Sequence, residues 1–212
     1  VKATEEMFSC CDYLKSLKQP ASVCDVSIVL CTMNRAELLD KMLASNSTAA
    51  EGINYEIIAV AGRCSDNTLE ILKKHNVTKI YNEQEHLGSG KHSWPQLYNF
   101  AFSKAAGKWA MFASDDIIFG PGGLAGAFNV LNAQPDSVAG GIFFYKNLYE
   151  NPRSDVFDRN KYFIGMGREF NILMNYGLVR LDYFRKVGGF DENYNFYYAD
   201  SDLCNKLYGI GK

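Results

Sequence analysis

Runs of apolar residues along the chain predict buried strands. After each of the first two runs, apolar residues recur at the spacing of a helix. Residues 26–31, 55–60 and 109–113 are largely apolar, as are strands that a parallel sheet covers on both faces. Leu38, Leu39, Met42 and Leu43 follow the first run, and Leu69, Ile71 and Leu72 follow the second. This alternation predicts right-handed β-α-β units and therefore an α/β fold with a mostly parallel sheet between helices.

Weaker patterns predict the remaining elements. They are a surface helix at 4–18, a linker at 19–22, a short strand at 79–81, a glycine-containing loop at 83–91, helices at 95–106, 121–133 and from 200 onward, a strand at 138–145, and a polar, aromatic loop or hairpin at 146–170. Residues 1–23 are accordingly expected to precede one domain, residues 24–212. Its first half, residues 24–117, resembles a nucleotide-binding unit, and its second half, residues 118–212, is less regular.

Composition supports this fold class and excludes others. The chain has 212 residues, 47% of them hydrophobic, which is enough for a substantial core. A formal net charge of -2 argues against a nucleic-acid binder, whose affinity would need a basic excess. No apolar run approaches the ~20 residues of a membrane span. The 13 Tyr, 14 Phe and 2 Trp fit either a thick core or aromatic platforms in a pocket.

The cysteine pattern bears on location. The six cysteines form no C-x-x-C pair and no Cys/His cluster at zinc spacing, and a domain of this size needs no disulfide scaffold. We therefore expect reduced, mostly buried thiols and a cytoplasmic location, with peripheral attachment to a membrane left open. Residues 1–6 lack the apolar stretch of a leader peptide, and the chain stops just after a helix-like segment, so further domains are expected C-terminal to it.

Polar residues that follow the predicted strands are the candidates for a ligand site, because ligands bind beyond the carboxyl ends of parallel strands. These segments, 32–35, 61–66 and 114–116, lack the glycine patterns of dinucleotide-binding and P-loop proteins. Asp115 and Asp116 follow a strand of five apolar residues. Such carboxylates suit Mg²⁺ or Mn²⁺, which take one or two of them and leave the other positions to substrate phosphates. The alternative role of the pair is to cap a turn.

A second acidic group lies near the C-terminal end, in residues 188–192 and 200–204. Asp200 stands where a helix through Leu203 and Leu207 is expected to begin, and Asp at such a position most often is the N-cap. A helix N-terminus also keeps a carboxylate ionised, as a general base requires. The two roles are compatible, because a capping carboxylate keeps free lone pairs.

Five segments, in the same order, resemble the family 2 inverting glycosyltransferases of the GT-A fold. They are residues 26–35, 55–60 with 65–69, 99–107, 114–116, and 188–192 with 200–203. The resemblance covers roughly residues 24–211 and implies a Rossmann-type three-layer sandwich. It also implies transfer of a sugar from a nucleotide-sugar donor, with UDP as the expected nucleotide, to a hydroxyl of a carbohydrate or glycoconjugate acceptor. Mn²⁺ or Mg²⁺ is the implied cofactor, and the anomeric configuration would invert.

The resemblance further implies roles for individual residues. Asp116 would bind the metal, Asp115 would face the ribose or a metal-bound water, and Asp200 would be the catalytic base. The implied nucleotide-sugar-binding residues are Thr32, Asn34, Arg35, Ala61, Arg63, Lys91 and Asp115.

Several positions depart from the family pattern. Ala61 and Gly62 stand where the family often has an acidic pair that recognises the nucleobase, so backbone groups or Arg63 are expected to do so here. Ser114 replaces the first acid of the D-x-D-type motif, and Ala199 replaces the Glu that usually precedes the base.

Other residues are ambiguous from sequence. Lys91 or His92 would contact the base or diphosphate, or else would be a solvated loop charge. The aromatic residues of the second half, and Trp94, would line an acceptor groove or simply pack in the core.

Two other functions compete with glycosyl transfer. A sugar-1-phosphate nucleotidyltransferase would share a similar nucleotide-binding half, but it needs a glycine-rich basic loop after the first strand, and residues 32–35 contain no glycine. A non-catalytic module that binds nucleotide-sugar or carbohydrate stays open because of the departures at positions 61, 62 and 199.

Overall fold

A computed structural model describes residues 10–17, 22–142 and 176–212. The predicted loop at 146–170 and most of the predicted linker at 19–22 lie outside these ranges. Parts of the first predicted helix and of the strand predicted at 138–145 lie outside them as well.

The described strands form one six-stranded sheet in the order β3-β2-β1-β4-β6-β5. The strands are β1 (Cys24–Thr32), β2 (Tyr55–Ala61), β3 (Lys79–Asn82), β4 (Gly107–Ser114), β5 (Gly140–Ile142) and β6 (Gly177–Arg180). The first four strands are parallel, whereas β6 pairs antiparallel with both β4 and β5. The predicted mostly parallel sheet with a mixed second half is confirmed.

Eight helices accompany these strands in the described ranges. They are α1 (Cys10–Ser16), α2 (Ala36–Ala49), α3 (Thr68–Lys74), α4 (Glu83–Leu87), α5 (Trp94–Ser103), α6 (Gly123–Asn132), α7 (Leu181–Lys186) and α8 (Ala199–Gly209). Helix α4 occupies part of the segment predicted as a loop. Helix α5 ends before the predicted residue 106, because the next amides turn back to the carbonyls of Ala101 and Phe102. Strand β6 and helix α7 had no counterpart in the sequence prediction.

Helices cover both faces of the sheet, which gives the three layers expected. On one face, Leu14 of α1, Phe102 of α5 and Phe184 of α7 pack in one core cluster with strand residues that include Val29. On the other face, Leu39 of α2 packs with residues of α3 and α6. The strands read as continuous apolar runs because alternate residues enter two different cores. Leu38, which spacing had placed on the buried face of α2, is exposed instead.

The two polar residues inside the apolar runs have a structural role at the amino ends of the strands. Ser27 Oγ donates to Glu56 Oε1 at 2.6 Å, and both residues are buried. The amides of Ala106 and Gly107 donate to this pair, at 2.7 Å to Glu56 and 2.8 Å to Ser27. A Cβ on Gly107 would lie 2.6 Å from the Ser27 nitrogen, so only glycine fits there. The pair thus anchors the entry to β4.

Candidate functional site

Four polar residues meet where β1 and β4 end. Thr32 Oγ1 donates to Asp115 Oδ2 at 2.7 Å. Arg35 lies within 3.1 Å of Asp115 Oδ1 and within 3.1 Å of Asp116 Oδ2 through a single guanidinium nitrogen. The parallel register that pairs Cys31 with Ser114 brings these residues together. The structure therefore unites Thr32, Arg35 and the acidic pair, as the sequence predicted for a site at the strand ends.

The two carboxylates of the pair have different environments. The Asp115 side chain is 5% exposed, and burial raises the pKa of its carboxyl, an effect opposed by the Thr32 hydroxyl and the Arg35 charge. The Asp116 side chain is 41% exposed, and its Oδ1 accepts a hydrogen bond from Ser114 Oγ at 2.6 Å. The charge of Asp115 in turn raises the pKa of Arg35. Asp116 is thus the carboxylate that solvent and an ion reach more readily.

The turns that follow β1 and β2 are held together by contacts within the protein. Asn34, in the left-handed region at φ 54°, accepts the Ser65 amide with its Oδ1 at 2.7 Å. Asp66 accepts the amides of Ala36 and Thr68, which begin α2 and α3. Ala61 is fully buried in the core, so neither its side chain nor its backbone is exposed to a nucleotide. These contacts join the β1–α2 and β2–α3 turns into one rigid edge.

Arg63 holds the loop that follows α4. Its Nη2 donates to the carbonyl oxygens of Ser89 at 2.7 Å and Gly90 at 2.6 Å. The next residue, Lys91, is exposed. His92 Nδ1 lies 2.9 Å from Glu83 Oε1, and the Glu83 side chain is 7% exposed. The structure thus gives Arg63 and His92 partners inside the protein and leaves Lys91 exposed.

Loss of the Arg63 contacts is expected to loosen this loop. In Arg63→Ala, we expect trypsin to cleave after Lys91 about tenfold faster in limited proteolysis, because two hydrogen bonds from a charged donor no longer oppose local opening. Lys41→Ala is the control, since it removes an exposed ion pair of 2.9 Å with Glu37 elsewhere on the surface. Equal cleavage after Lys91 in wild type and Arg63→Ala would contradict the anchoring role.

Asp200 lines a pocket of about 190 Å³ together with Ser114 of β4. The other described residues of its lining are aromatic: Trp94, Tyr98, Phe112, Tyr176, Phe196 and Tyr197. Asp200 is half-buried and lies in the first turn of α8, whose N-cap is Tyr198 at φ 71°. The expectation that Asp200 is the N-cap is therefore wrong by two positions, because the left-handed residue at 198 starts the helix earlier. The carboxylate still lies at the positive end of α8.

The aromatic surplus divides between core and pocket. Phe102, Phe184 and Phe190 are fully buried, which is the packing role. Trp94 packs at 4.6 Å from Tyr98 and 4.9 Å from Phe112, and these three rings form one wall of the pocket. The Phe196 and Tyr197 residues are 57% and 76% exposed and form its rim. Both interpretations of the sequence thus apply, to different residues.

The described side chains supply few ligands for a divalent cation, so substrate oxygens or water would have to complete its coordination. Among the described residues, no three His, Cys, Asp or Glu side chains form a group that could hold a metal ion. Asp116 nevertheless offers a half-exposed carboxylate, and oxygen atoms are the ligands that Mg²⁺ and Mn²⁺ prefer. Arg35 now occupies Oδ2 of that carboxylate, so its guanidinium would have to move aside.

The expectations of reduced, mostly buried thiols and of no membrane-spanning apolar run can be compared with the described part of the chain. The four cysteines with described side chains, Cys24, Cys31, Cys64 and Cys204, are free, and Cys204 alone of these four is buried. In those same ranges, no helix has both the length and the apolar character that crossing a bilayer requires.

The mostly parallel six-stranded sheet between helices, with an acidic pair after β4 and Asp200 in the first turn of α8, is the α/β architecture that the resemblance to GT-A proteins implies. The sequence model of Glycosyl transferase family 2 matches residues 27–187, well over half of the chain. The chain therefore belongs to glycosyl transferase family 2, and the predicted family and fold class are confirmed. No curated protein matches the sequence.

Solved structures agree with the fold class. S. aureus TarS 1-349 superposes with a TM-score of 0.66 at 17% identity, over 87% of this chain and 55% of that one. The mannosyltransferase PcManGT from Pyrobaculum calidifontis, solved with GDP-Man and Mn²⁺, gives 0.65 at 14% identity, over 95% of this chain and 58% of that one. TarS 1-349 has also been solved with UDP-GlcNAc. This chain thus spans little more than half the length of these proteins.

Proposed function

We propose that this protein transfers a sugar from a nucleotide-sugar donor, a UDP-sugar in the first instance, to a hydroxyl group of a carbohydrate or glycoconjugate acceptor, with inversion. The observation that carries the proposal is the shared pocket of Asp200 and Ser114, because it brings a candidate base next to the acidic end of β4. Membership of glycosyl transferase family 2 supports it. The ligands in two structures of similar fold, UDP-GlcNAc and GDP-Man, are donors of this class.

The donor would bind at the ends of β1, β2 and β4. Arg35 has donors that suit a diphosphate, and it already lies at the acidic pair. The hydrogen bond from Thr32 orients the buried Asp115 carboxylate. In this orientation, a carboxylate oxygen can accept a hydrogen bond from a ribose hydroxyl. Asn34 and Arg63 fix the adjoining turn and loop, and Lys91 provides an exposed positive charge beside them. With Ala61 buried, backbone groups or Arg63 would contact the base.

Asp200 would act as the general base. Its carboxylate takes the proton of the acceptor hydroxyl while that oxygen forms a bond to the anomeric carbon and the bond to the diphosphate oxygen breaks. A single displacement of this kind inverts the configuration at that carbon. The aromatic wall and rim of the pocket suit the apolar faces of a sugar ring, which would orient the acceptor.

Asp116 would hold Mn²⁺ or Mg²⁺, which supplies positive charge to the leaving diphosphate. Asp116→Asn is expected to weaken Mn²⁺-dependent nucleotide binding by about 10-fold to 100-fold, because the variant keeps the side-chain volume but loses the anionic ligand. Calorimetry of UDP and GDP binding, with Mn²⁺ and with a chelator, measures this. Asp25→Asn is the control, since its carboxylate accepts the Asn54 amide at the opposite end of β1. Equal binding by Asp116→Asn and wild type would contradict the assignment.

Donor turnover tests the proposed function directly. Wild-type protein with Mn²⁺ is incubated with labelled UDP-sugars and GDP-sugars, and release of the nucleoside diphosphate is followed. If a chelator abolishes the release, the result supports a metal-dependent glycosyltransferase, and the sugar nucleotide that is cleaved identifies the preferred nucleobase. Binding without release would favour a non-catalytic module, and pyrophosphate release from a nucleoside triphosphate with a sugar phosphate would favour a nucleotidyltransferase.

A further inference from the structure

The hydroxyl of Tyr98 connects two neighbouring strands just before the candidate site. Tyr98 belongs to α5 and is 2% exposed. Its Oη donates to the carbonyl oxygen of Ala113 in β4 at 2.7 Å and accepts the amide of Cys31 in β1 at 3.3 Å. A helix side chain therefore spans the parallel pair β1–β4 from one face of the sheet.

The bridge lies directly beside Thr32 and Asp115, two candidate donor-binding residues. Cys31 is the residue before Thr32, and Ala113 lies two residues before Asp115. The Thr32 to Asp115 hydrogen bond, at 2.7 Å, joins the same two strands immediately after the bridge. The Tyr98 hydroxyl thus adds to the β1–β4 pairing at the point where these two strands bring Thr32 and Asp115 together.

We propose that Tyr98 is a positioning residue, whose hydroxyl fixes the spacing of the β1 and β4 ends and thereby the placement of Asp115 against Thr32 for the donor. The part of this inference that concerns the donor rests on the proposed function. The geometric part stands on the two strands alone.

The ring of Tyr98 links the same position to the other half of the site. It lies 4.6 Å from the Trp94 ring and 4.6 Å from the Phe112 ring, and it lines the pocket that contains Asp200. Burial raises the pKa of the hydroxyl well above its usual value, so it stays protonated and remains able to donate to Ala113. One side chain thus contacts both the donor end of the sheet and the wall of the candidate acceptor pocket.

Tyr98→Phe removes the hydroxyl and keeps the ring packing, so the variant is expected to fold. Tyr183→Phe is the matched control: Tyr183 is 7% exposed, and its hydroxyl donates to Asp136 Oδ2 at 2.5 Å. It follows β6, whose Arg180 pairs with Trp109 near the amino end of β4, away from the candidate site. Both variants lose one hydroxyl that is hydrogen-bonded within the protein, so both are expected to melt at lower temperature than wild type.

Crystal structures of both variants without nucleotide test the geometric part. We expect the Thr32 Oγ1 to Asp115 Oδ2 contact to open beyond hydrogen-bond distance in Tyr98→Phe and to persist in Tyr183→Phe. Persistence of the contact in Tyr98→Phe would overturn the proposal.

Nucleotide affinity with Mn²⁺, measured for the same variants, tests the donor part. We expect the Kd of Tyr98→Phe to rise about tenfold while that of Tyr183→Phe stays at the wild-type value. Equal affinity of Tyr98→Phe and wild type, or an equal rise in both variants, would overturn the donor part. If wild type binds neither UDP nor GDP, the proposed donor fails, and the crystallographic distance still decides the geometric role of Tyr98.

Discussion

Replacement of Asp200 by asparagine is expected to lower the rate of sugar transfer by about 10²-fold to 10⁴-fold, because the amide cannot take the proton of the acceptor hydroxyl. Nucleotide affinity is expected to stay within about threefold of wild type, since Asp200 lines the aromatic pocket and the proposed donor residues lie at the strand ends. Steady-state transfer assays and calorimetry on the same preparation separate these two quantities.

Asp202→Asn is the matched control for Asp200→Asn. Asp202 lies in the same first turn of α8, and its carboxylate pairs with Lys206 at 2.7 Å. Asp202 does not line the pocket that contains Asp200, so loss of its partly buried i,i+4 pair is expected to leave transfer nearly unchanged. Full activity in Asp200→Asn, or equal loss in both variants, would remove Asp200 from the role of base.

Replacement of Asn99 by alanine is expected to lower the free energy of unfolding by about 3 kcal/mol. Asn99 is fully buried in α5. Its Oδ1 accepts the Phe190 amide at 2.9 Å, and its Nδ2 donates to the Phe190 carbonyl at 2.8 Å and to Glu192 at 2.9 Å. Truncation leaves the two Phe190 backbone groups without these partners in the core, where water cannot replace them easily.

Urea unfolding of Asn99→Ala against Asn193→Ala measures this effect. Asn193 also uses its amide in the segment before α8, where it donates to Asp191 at 2.8 Å, but it is exposed. Its truncation is expected to cost within about 0.5 kcal/mol. Equal destabilisation in the two variants would show that the buried Asn99 hydrogen bonds contribute no more to the free energy of unfolding than an exposed amide does.

The Asn99 bridge also explains the glycine before Phe190. Gly189 has φ +69°, and a Cβ there would lie 2.5 Å from Asn99 Oδ1 and 2.7 Å from a Leu14 methyl. The sequence identified this segment by resemblance, but the partners that require the glycine come from α5 and α1. Contact with Leu14 also shows that α1, predicted as a surface helix, buries one face on the domain.

Local patterns were sufficient where neighbouring residues define an element. The apolar runs of β1, β2 and β4 and the acidic pair after β4 were predicted in the correct order, because strands buried on both faces need such runs and ligands bind where parallel strands end. Patterns failed where an element is short or depends on a partner. Strand β6 has four residues, and the N-cap of α8 is the left-handed Tyr198 rather than Asp200.

The partners of the candidate site residues could not be predicted from sequence. Arg63 was one of two candidates, with backbone groups, for contact with the nucleobase, and the sequence did not predict that its Nη2 holds the carbonyls of Ser89 and Gly90. His92, a candidate with Lys91 for contact with the base or diphosphate or else a solvated loop charge, lies against Glu83. These partners depend on how a loop folds over the edge of the sheet, and no spacing along the chain encodes that distance.

The sequence by itself determined the fold class, the family and the residue types at the strand ends, because apolar periodicity and short motifs are local properties of the chain. Only the tertiary structure decided which of these residues meet. It placed Asp200 in one pocket with Ser114, set Arg35 between two carboxylates, and put the Tyr98 hydroxyl between β1 and β4. Such contacts join residues distant in sequence, and strand register and helix packing fix them only once the whole sheet has assembled.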